Sequence, residues 1–347
     1  MTALETTPVA AGRPAGEVLA WSRTALDPAL RAAVDSLPGS MRRVCAYHFG
    51  WTDEHGRPIA ADAGKALRPA LALLSAAAVG GLPDRAVPAA VAVELVHNFS
   101  LLHDDVMDGD VTRRHRPTAW TVFGRDEAIL AGDSLLALAF QVLAEAGPPG
   151  PGAPYGIGIC MVNATVQRLL DGQSADLAFE SRESVGLAEV RAMAENKTGA
   201  LLGCACALGA WFGHGSPAQV AALRAFGELL GLAFQQVDDL LGIWGDPAVT
   251  GKPVHSDLAS RKKSFPVVAA MSSGTPAGDE LSLKYGHEDD LAVLAGLIET
   301  AGGRAFGQSA ADDLLGRALG HLDTARPHGP AAAELRALAA FATRREK

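Results

Sequence analysis

Two clusters of aspartate lie far apart in the chain, each inside apolar sequence of helical character. The first is Asp104-Asp105-Val106-Met107-Asp108, and the second is Asp238-Asp239 with Asp246 further on. On a helix of about 3.6 residues per turn, Asp104 and Asp108 fall on one face a turn apart, with Asp105 beside them. Carboxylates crowded together in apolar sequence repel one another. Hard cations such as Mg²⁺ relieve that repulsion, and Mg²⁺ commonly completes its octahedron with water and substrate phosphates. The implied chemistry is that of a diphosphate.

Basic residues stand where a diphosphate would need them. Arg113-Arg114 follow the first cluster, and Lys252 and Lys262 follow the second. A purely basic element appears at Gly64-Lys65-Ala66-Leu67-Arg68-Pro69, where Lys65 and Arg68 share a helix face and His97 can add a donor from a neighbouring helix. The guanidinium fork matches phosphate oxygens. Each stretch alone also reads as a solvated helix end with its own ion pairs. Recurrence of acid followed by base, in two separate helices, argues against that blander reading. One phosphate site is acidic and metal-mediated, the other is basic, and two diphosphate substrates are implied.

The elements that must hold these residues are helices. Hydrophobic residues make up 48% of the chain and aromatic ones only 5%, with Ala and Leu dominant, which favours helix over sheet. Apolar residues recur at helical spacing over 17–36, 63–79, 87–108, 117–145, 156–181, 187–212, 217–244, 256–272, 288–301, 304–322 and 331–344. Gly/Pro clusters separate them. The expectation is an all-α fold: one domain over 17–347, a single-domain bundle of long helices, preceded by a disordered segment at 1–16. Leu67 to Val79 and Ala128 to Leu143 are apolar nearly all round. Such helices belong at a bundle centre or a subunit interface, and their alanines leave room for an elongated apolar ligand.

A net charge of −9 argues against a general nucleic-acid surface. No uninterrupted apolar run reaches the roughly 18–20 residues of a membrane span, and Met1 to Gly16 carries no secretory signal pattern. The four cysteines form no CxxC pair, so buried thiols in a reducing cytoplasm are expected.

From Gly64 to Lys263 the motifs together resemble the trans-isoprenyl diphosphate synthases, or polyprenyl synthetases. The resemblance implies an isoprenoid synthase fold around a central apolar cavity, a homodimer, and three Mg²⁺ ions bound with the allylic diphosphate. Asp104, Asp105, Asp108, Asp238 and Asp239 match that family's metal-binding motifs. Lys65, Arg68, His97 and Arg114 match its ligands for isopentenyl diphosphate. Arg113, Lys197, Lys252 and Lys262 match its ligands for the allylic diphosphate. Lys197, Thr198, Phe234 and Gln235 match positions near the developing carbocation, and Gly172-Gln173-Ser174-Ala175-Asp176 matches a polar helix segment facing the cavity.

Two departures stand out. The family's second motif usually ends in aspartate where this chain has Gly242, and Asp246 can replace it only if the helix continues past Gly245 and Pro247. His115 stands where many relatives have glycine. In that family, bulk before the first motif limits product length. Phe99 and the small Ser100 resemble geranylgeranyl-forming members, with farnesyl diphosphate as the runner-up product. A class I terpene cyclase would need no second basic diphosphate site, and a non-catalytic partner subunit would be expected to lose metal ligands.

Overall fold

The computed structural model describes residues 12–59, 61, 64, 66–150, 152–247 and 253–343. They fold almost wholly into helices. In chain order these are α1 (Ala15–Asp35), α2 (Gly39–His48), α3 (Leu67–Ala78), a 3₁₀ turn (Pro83–Ala86) and α4 (Val87–Met107). A hairpin of β1 (Thr112–Arg113) and β2 (Arg116–Pro117) follows. Then come α5 (Ala119–Phe123), α6 (Arg125–Ala146), α7 (Ile157–Ser181), α8 (Leu187–Ala194), a π-helical turn (Glu195–Gly199) and α9 (Ala200–Phe212). The chain closes with α10 (Pro217–Trp244), α11 (Ser256–Ala259), α12 (Phe265–Met271), α13 (Pro276–Lys284), α14 (Leu291–Thr300), α15 (Gly303–Thr324) and α16 (Gly329–Thr343).

The two helices that end in aspartate are central. α4 runs along α6, and α10 lies between α9 and α15. Each bounds an apolar cluster. Leu95, Val96, Phe99 and Leu102 of α4 join Leu135 of α6 and Leu208 of α9, while Leu223, Phe226 and Leu230 of α10 join Leu71 and Leu74 of α3 and Leu335 and Leu338 of α16. A fully buried leucine of this kind contributes roughly 1.5–3 kcal/mol. Small residues set the spacing: a Cβ at Gly209 of α9 would collide with the Ala72 backbone of α3. The start of α10 is fixed locally, because Ser216 accepts from Gln219 N–H in a capping box with Pro217 next to it.

The long helices lie where the apolar periodicity puts them, and the differences have local causes. The expected helix at 117–145 is broken at Gly124, whose φ of 97° ends α5. The expected 187–212 helix carries the π turn, and 256–272 divides into α11 and α12. α2 and α13 are short and lie outside every expected span. α3 begins only at Leu67, after Ala66 at φ 50°. At the N-terminus, residues 12–16 of the expected disordered segment are ordered. Arg13 makes a forked ion pair with Glu334 of α16 at 2.7 Å, and α1 starts at Ala15. Residues 1–11 of that segment lie outside the described ones.

By length and composition, Pro83–Met107 and Arg125–Ala146 each satisfy the demands of a bilayer span, but 72% of the most apolar stretch of the first is buried inside the fold. All four cysteines are free thiols; Cys45, Cys204 and Cys206 are buried as expected, whereas Cys160 is exposed.

Candidate active site

Asp104 and Asp105 occupy the last turn of α4, and Asp108 caps it by donating its N–H to the Asp104 carbonyl. Asp105 is 1% exposed and takes the Arg113 guanidinium at 2.6–2.7 Å through Nε and Nη2. Arg113 reaches back because β1 and β2 are joined by only two residues, Arg114 and His115, at φ 50° and 60°. Two successive left-handed residues are what a tight hairpin of this length requires. Glycine adopts that conformation freely and histidine at a modest cost, which accounts for the His115 departure. Arg114 points the other way, against Gly64, where an added Cβ would sit 2.7 Å from its Nη2.

Burial pushes Asp104 up to about 6, against the pull of Lys197 and with the added push of Asp108. Asp108 is also raised, first by burial, then by Asp110, Asp176 and Glu180, with Lys197 again opposing. Lys197 comes from the π turn, which is wedged between two glycines. A Cβ at Gly172 of α7 would overlap the Lys197 backbone, and one at Gly231 of α10 would meet Gly199 at 2.8 Å. So placed, Lys197 Nζ lies 2.6 Å from Asp176 Oδ2 of α7.

The next residue links the turn to the second cluster. Thr198 Oγ1 donates to Gln235 Oε1 at 2.8 Å, and Gln235 Nε2 donates to Asp239 Oδ1 at 2.8 Å. Asp239 Oδ2 accepts the Phe265 N–H at 3.1 Å, and Lys262 Nζ stands 3.8 Å from Asp239. Burial lifts Asp239 to about 6 despite these partners. Burial also works against the Lys262 charge, but Asp239 and Asp257, then Asp176 and Asp238, more than offset it and hold the ammonium above the ordinary lysine range. Asp176 is therefore felt from both sides, by Asp108 and by Lys262. The ends of α4 and α10 converge on one space with α7 between them.

A basic pocket lies on the other side of Arg113. Burial draws Arg68 down to about 10, with Glu94 opposing and Arg114 adding to the fall. Glu94 is buried on α4, where Asn98 Nδ2 donates to it at 3.1 Å. His97 is held well below its usual value by burial, then by Arg68, Arg114 and Arg113, and His48 is lowered to about 3 by burial and the same two hairpin arginines. Both imidazoles are neutral at pH 7 and keep one N–H donor each.

The structure thus groups Asp104, Asp105, Asp108, Lys197, Thr198, Gln235, Asp238, Asp239 and Lys262 on one side, and Arg68, His97 and Arg114 on the other. Arg113 sits at the boundary with its fork committed to Asp105. Lys65 and Lys252 lie outside the described residues. At Asp246 the helix expected from sequence has already stopped: α10 ends at Trp244, Gly245 is extended at ψ 147°, and Asp246 is exposed beyond it. The helical continuation its proposed metal role required does not form, because Gly245 and Pro247 do not extend the last turn. Phe99 is buried with its ring edge-on to His103 at 4.8 Å, on the side of α4 that meets α6. Ser100, one turn before Asp104, shares the face of Asp104 and bonds the His97 carbonyl at 2.9 Å. From sequence, His48 goes unnoticed, and Glu94 and Asp257 stand in the motif stretches without a site role of their own. Glu94, three residues before His97 in an apolar run, was the legible hint.

Among the described residues, no three His, Cys, Asp or Glu side chains converge as a ready-made metal cage. The donor set nonetheless suits Mg²⁺, which binds through one or two carboxylates and takes its other oxygens from water and phosphate. Asp105 Oδ2 is buried without a hydrogen-bond partner, and the Gln173 amide is likewise unsatisfied in the interior. A polar ligand between the helices would satisfy such atoms.

The chain is similar to known proteins over most of its length. Residues 50–299 match the polyprenyl synthetase family model. The chain is 48% identical over 303 residues to the (2E,6E)-farnesyl diphosphate synthase of Mycobacterium tuberculosis, covering 85% of this chain and 83% of that one. It is 42% identical over 341 residues to the geranylgeranyl diphosphate synthase of the same organism, covering 95% and 93%. The crystal structure of a polyprenyl synthetase from Streptomyces coelicolor superposes with a TM-score of 0.89 at 46% identity, over 94% of this chain and 99% of that one.

Proposed function

The chain belongs to the polyprenyl synthetase family and is a magnesium-dependent trans-prenyltransferase, and we propose that it joins isopentenyl diphosphate head to tail to an allylic diphosphate, with geranylgeranyl diphosphate as its product. The observation that carries the condensation reading is the pairing of a carboxylate-lined space with a separate basic pocket. Asp104, Asp105 and Asp108 face Asp238 and Asp239 across Asp176, and Lys197 and Lys262 stand between them. These residues would hold the allylic diphosphate with three Mg²⁺ ions. Arg68, His97 and Arg114, with Lys65 from outside the described residues, would hold isopentenyl diphosphate.

Bound Mg²⁺ neutralises charge on the departing diphosphate. The chain supplies the rest. Lys197 and Lys262 offer preorganised positive charge where negative charge develops on the leaving group. Gln235 and Thr198, hydrogen-bonded to each other beside Asp239, would offer their carbonyl and hydroxyl oxygens to the allylic cation, and apolar helix faces would exclude water from it. No side chain among the described residues is placed as an obvious base, so the proton released on forming the new double bond would leave with the diphosphate.

The support for a C20 product is Ser100. It lies one helix turn below Asp104 on the same face and presents no bulk to a growing tail, whereas Phe99 is turned toward α6. The farnesyl reading is favoured by the 48% identity to a farnesyl diphosphate synthase. One experiment separates them. Purified protein is incubated with Mg²⁺, isopentenyl diphosphate and the C5, C10 or C15 primer in turn. Extension of the C15 primer to C20 supports the proposal, and accumulation of C15 with no extension overturns it. A homodimer is proposed through α6, whose most apolar stretch is only 39% buried and which exposes Ile129 and Leu130. Light scattering at the mass of one chain would reject it.

A further inference from the structure

Gly242 lies on the face of α10 that carries the second aspartate pair, four residues after Asp238 and three after Asp239. A Cβ placed there would overlap the carboxyl group of Asp257, meeting its Cγ and both its oxygens. The Asp257 carboxyl therefore occupies the place where a side chain of residue 242 would begin. Several contacts hold it there. Ser256 Oγ lies 3.4 Å from the Gly242 carbonyl, the Lys262 N–H donates to the Asp257 carbonyl at 2.9 Å, and Tyr285 OH donates to the Lys262 carbonyl at 2.5 Å. Leu258, beside Asp257, is fully buried in the cluster that contains Ile243. Lys262 Nζ is bracketed, 3.8 Å from Asp239 and 3.9 Å from Asp257.

We propose that Asp257 is a positioning residue of the second acidic site: its carboxylate, brought from a different helix, takes the place left open at Gly242 and sets the Lys262 ammonium against Asp239. Glycine at 242 and aspartate at 257 are then one device divided between two elements. The inference rests on the reading that Asp238, Asp239 and Lys262 hold a Mg²⁺-diphosphate. A purely local role for Asp257, as the acidic residue of the first turn of α11, would leave diphosphate binding untouched.

The test is calorimetric titration of inorganic pyrophosphate with Mg²⁺ into the full chain, with thermal melting to confirm folding. Asp257→Ala is expected to weaken binding about 10–100-fold, the range typical of partners that orient a metal's ligands. Asp257→Asn, which keeps the shape and loses the charge, serves if the alanine variant fails to fold and should weaken binding by a similar factor. Gly242→Asp alone should also weaken binding, because two carboxyl groups then compete for one place. The double variant Gly242→Asp/Asp257→Ala should recover most of the loss. Wild-type binding in both Asp257 variants, or no recovery in a folded double variant, overturns the proposal. Lys262→Ala and Asp239→Ala are the controls. If these also bind as the wild type does, the reading of the whole acidic site is at fault and the role of Asp257 falls with it.

Discussion

The carboxylates at the end of α4 are completed within one short stretch of chain, whereas those at the end of α10 depend on residues that arrive from other elements. Asp105 receives Arg113 only eight residues later, through a hairpin whose turn forces the approach. Asp239 has one local partner, Gln235, and takes its others from Phe265 and Lys262 after an intervening segment. The first site is largely a property of local sequence. The second exists only once α11 and α12 have packed against α10. The same chemistry can therefore be built with very different sensitivity to tertiary structure, and that difference can be attacked experimentally.

The largest effect should come from removing a carboxylate on either side. Asp104→Ala and Asp238→Ala are each expected to lower kcat by about 10²–10³-fold, the scale seen when one preorganised electrostatic partner of a transition state is lost. Both variants should stay folded: Asp238 is exposed, and at neutral pH Asp104→Ala should melt at or above the wild type, because burial disfavours the Asp104 carboxylate. Steady-state kinetics with saturating Mg²⁺ measures this. A drop at Asp104 with none at Asp238 would mean that the second site does not share in the reaction.

Stability should separate the two sites next. Arg113→Ala strips a nearly fully buried carboxylate of its fork. Breaking a buried pair costs about 3–5 kcal/mol, and the partial exposure of Arg113 reduces the expectation to about 2–3 kcal/mol. Lys262→Ala should cost less, about 1–2 kcal/mol, because Asp239 keeps the Gln235 amide and the Phe265 N–H. Guanidinium unfolding compares them. The reverse order would show that the distant partners, not the hairpin, carry the greater share of stability.

These contrasts also explain what could be read from sequence. The all-α class, the long helices and the acid-base pattern are local properties, written in periodicity and residue type, and Asp104, Asp105, Asp108 and Arg113 were legible for that reason. The π turn that presents Lys197 was not, because its cause is the fit of two glycines, Gly172 and Gly231, on helices distant in sequence. Gly242 read as a lost ligand, and Asp246 as its replacement, because sequence distance along α10 was the only measure at hand. Asp257 stands fifteen residues after Gly242, and only packing brings its carboxyl group there. The three-residue offset that makes Glu94 a neighbour of His97 on α4 was visible, but its burial beside Arg68 was not.

The pH response offers a finer comparison. Asp104 and Asp239 are each pushed up to about 6 by burial, while an unfolded aspartate titrates near 3.9. Between those values the folded chain binds more protons than the unfolded one, so stability falls as pH rises through the window of about 4 to 6. For metal-free protein the two groups together should make unfolding roughly 2–3 kcal/mol harder at pH 5 than at pH 7.5. Added Mg²⁺ and pyrophosphate should reverse the trend, because binding requires the carboxylates deprotonated. Melting curves at the two pH values, with and without ligand, read both signs. Asp104→Asn and Asp239→Asn should each flatten about half of the metal-free slope, and an unchanged slope in either variant would remove that residue from the account.

The smallest effects are expected at the tail end of the α4 site, where the question is shape and not charge. Ser100→Phe puts an aromatic ring about one turn below Asp104, about 6 Å along the helix and on the same face. The product should shift toward C15, with a C15-to-C20 ratio raised about tenfold, a change of about 1.4 kcal/mol in partition between release and further elongation. Phe99→Ala is the sharper probe. Phe99 packs toward His103 and α6, so truncation opens space beside the tail and not directly beneath it. A modest spread to products longer than C20 would give Phe99 a share in the floor. A product profile identical to wild type, together with a loss of about 3–5 kcal/mol in stability, would assign Phe99 to the core between α4 and α6 and leave Ser100 as the position on this helix that meets the growing chain.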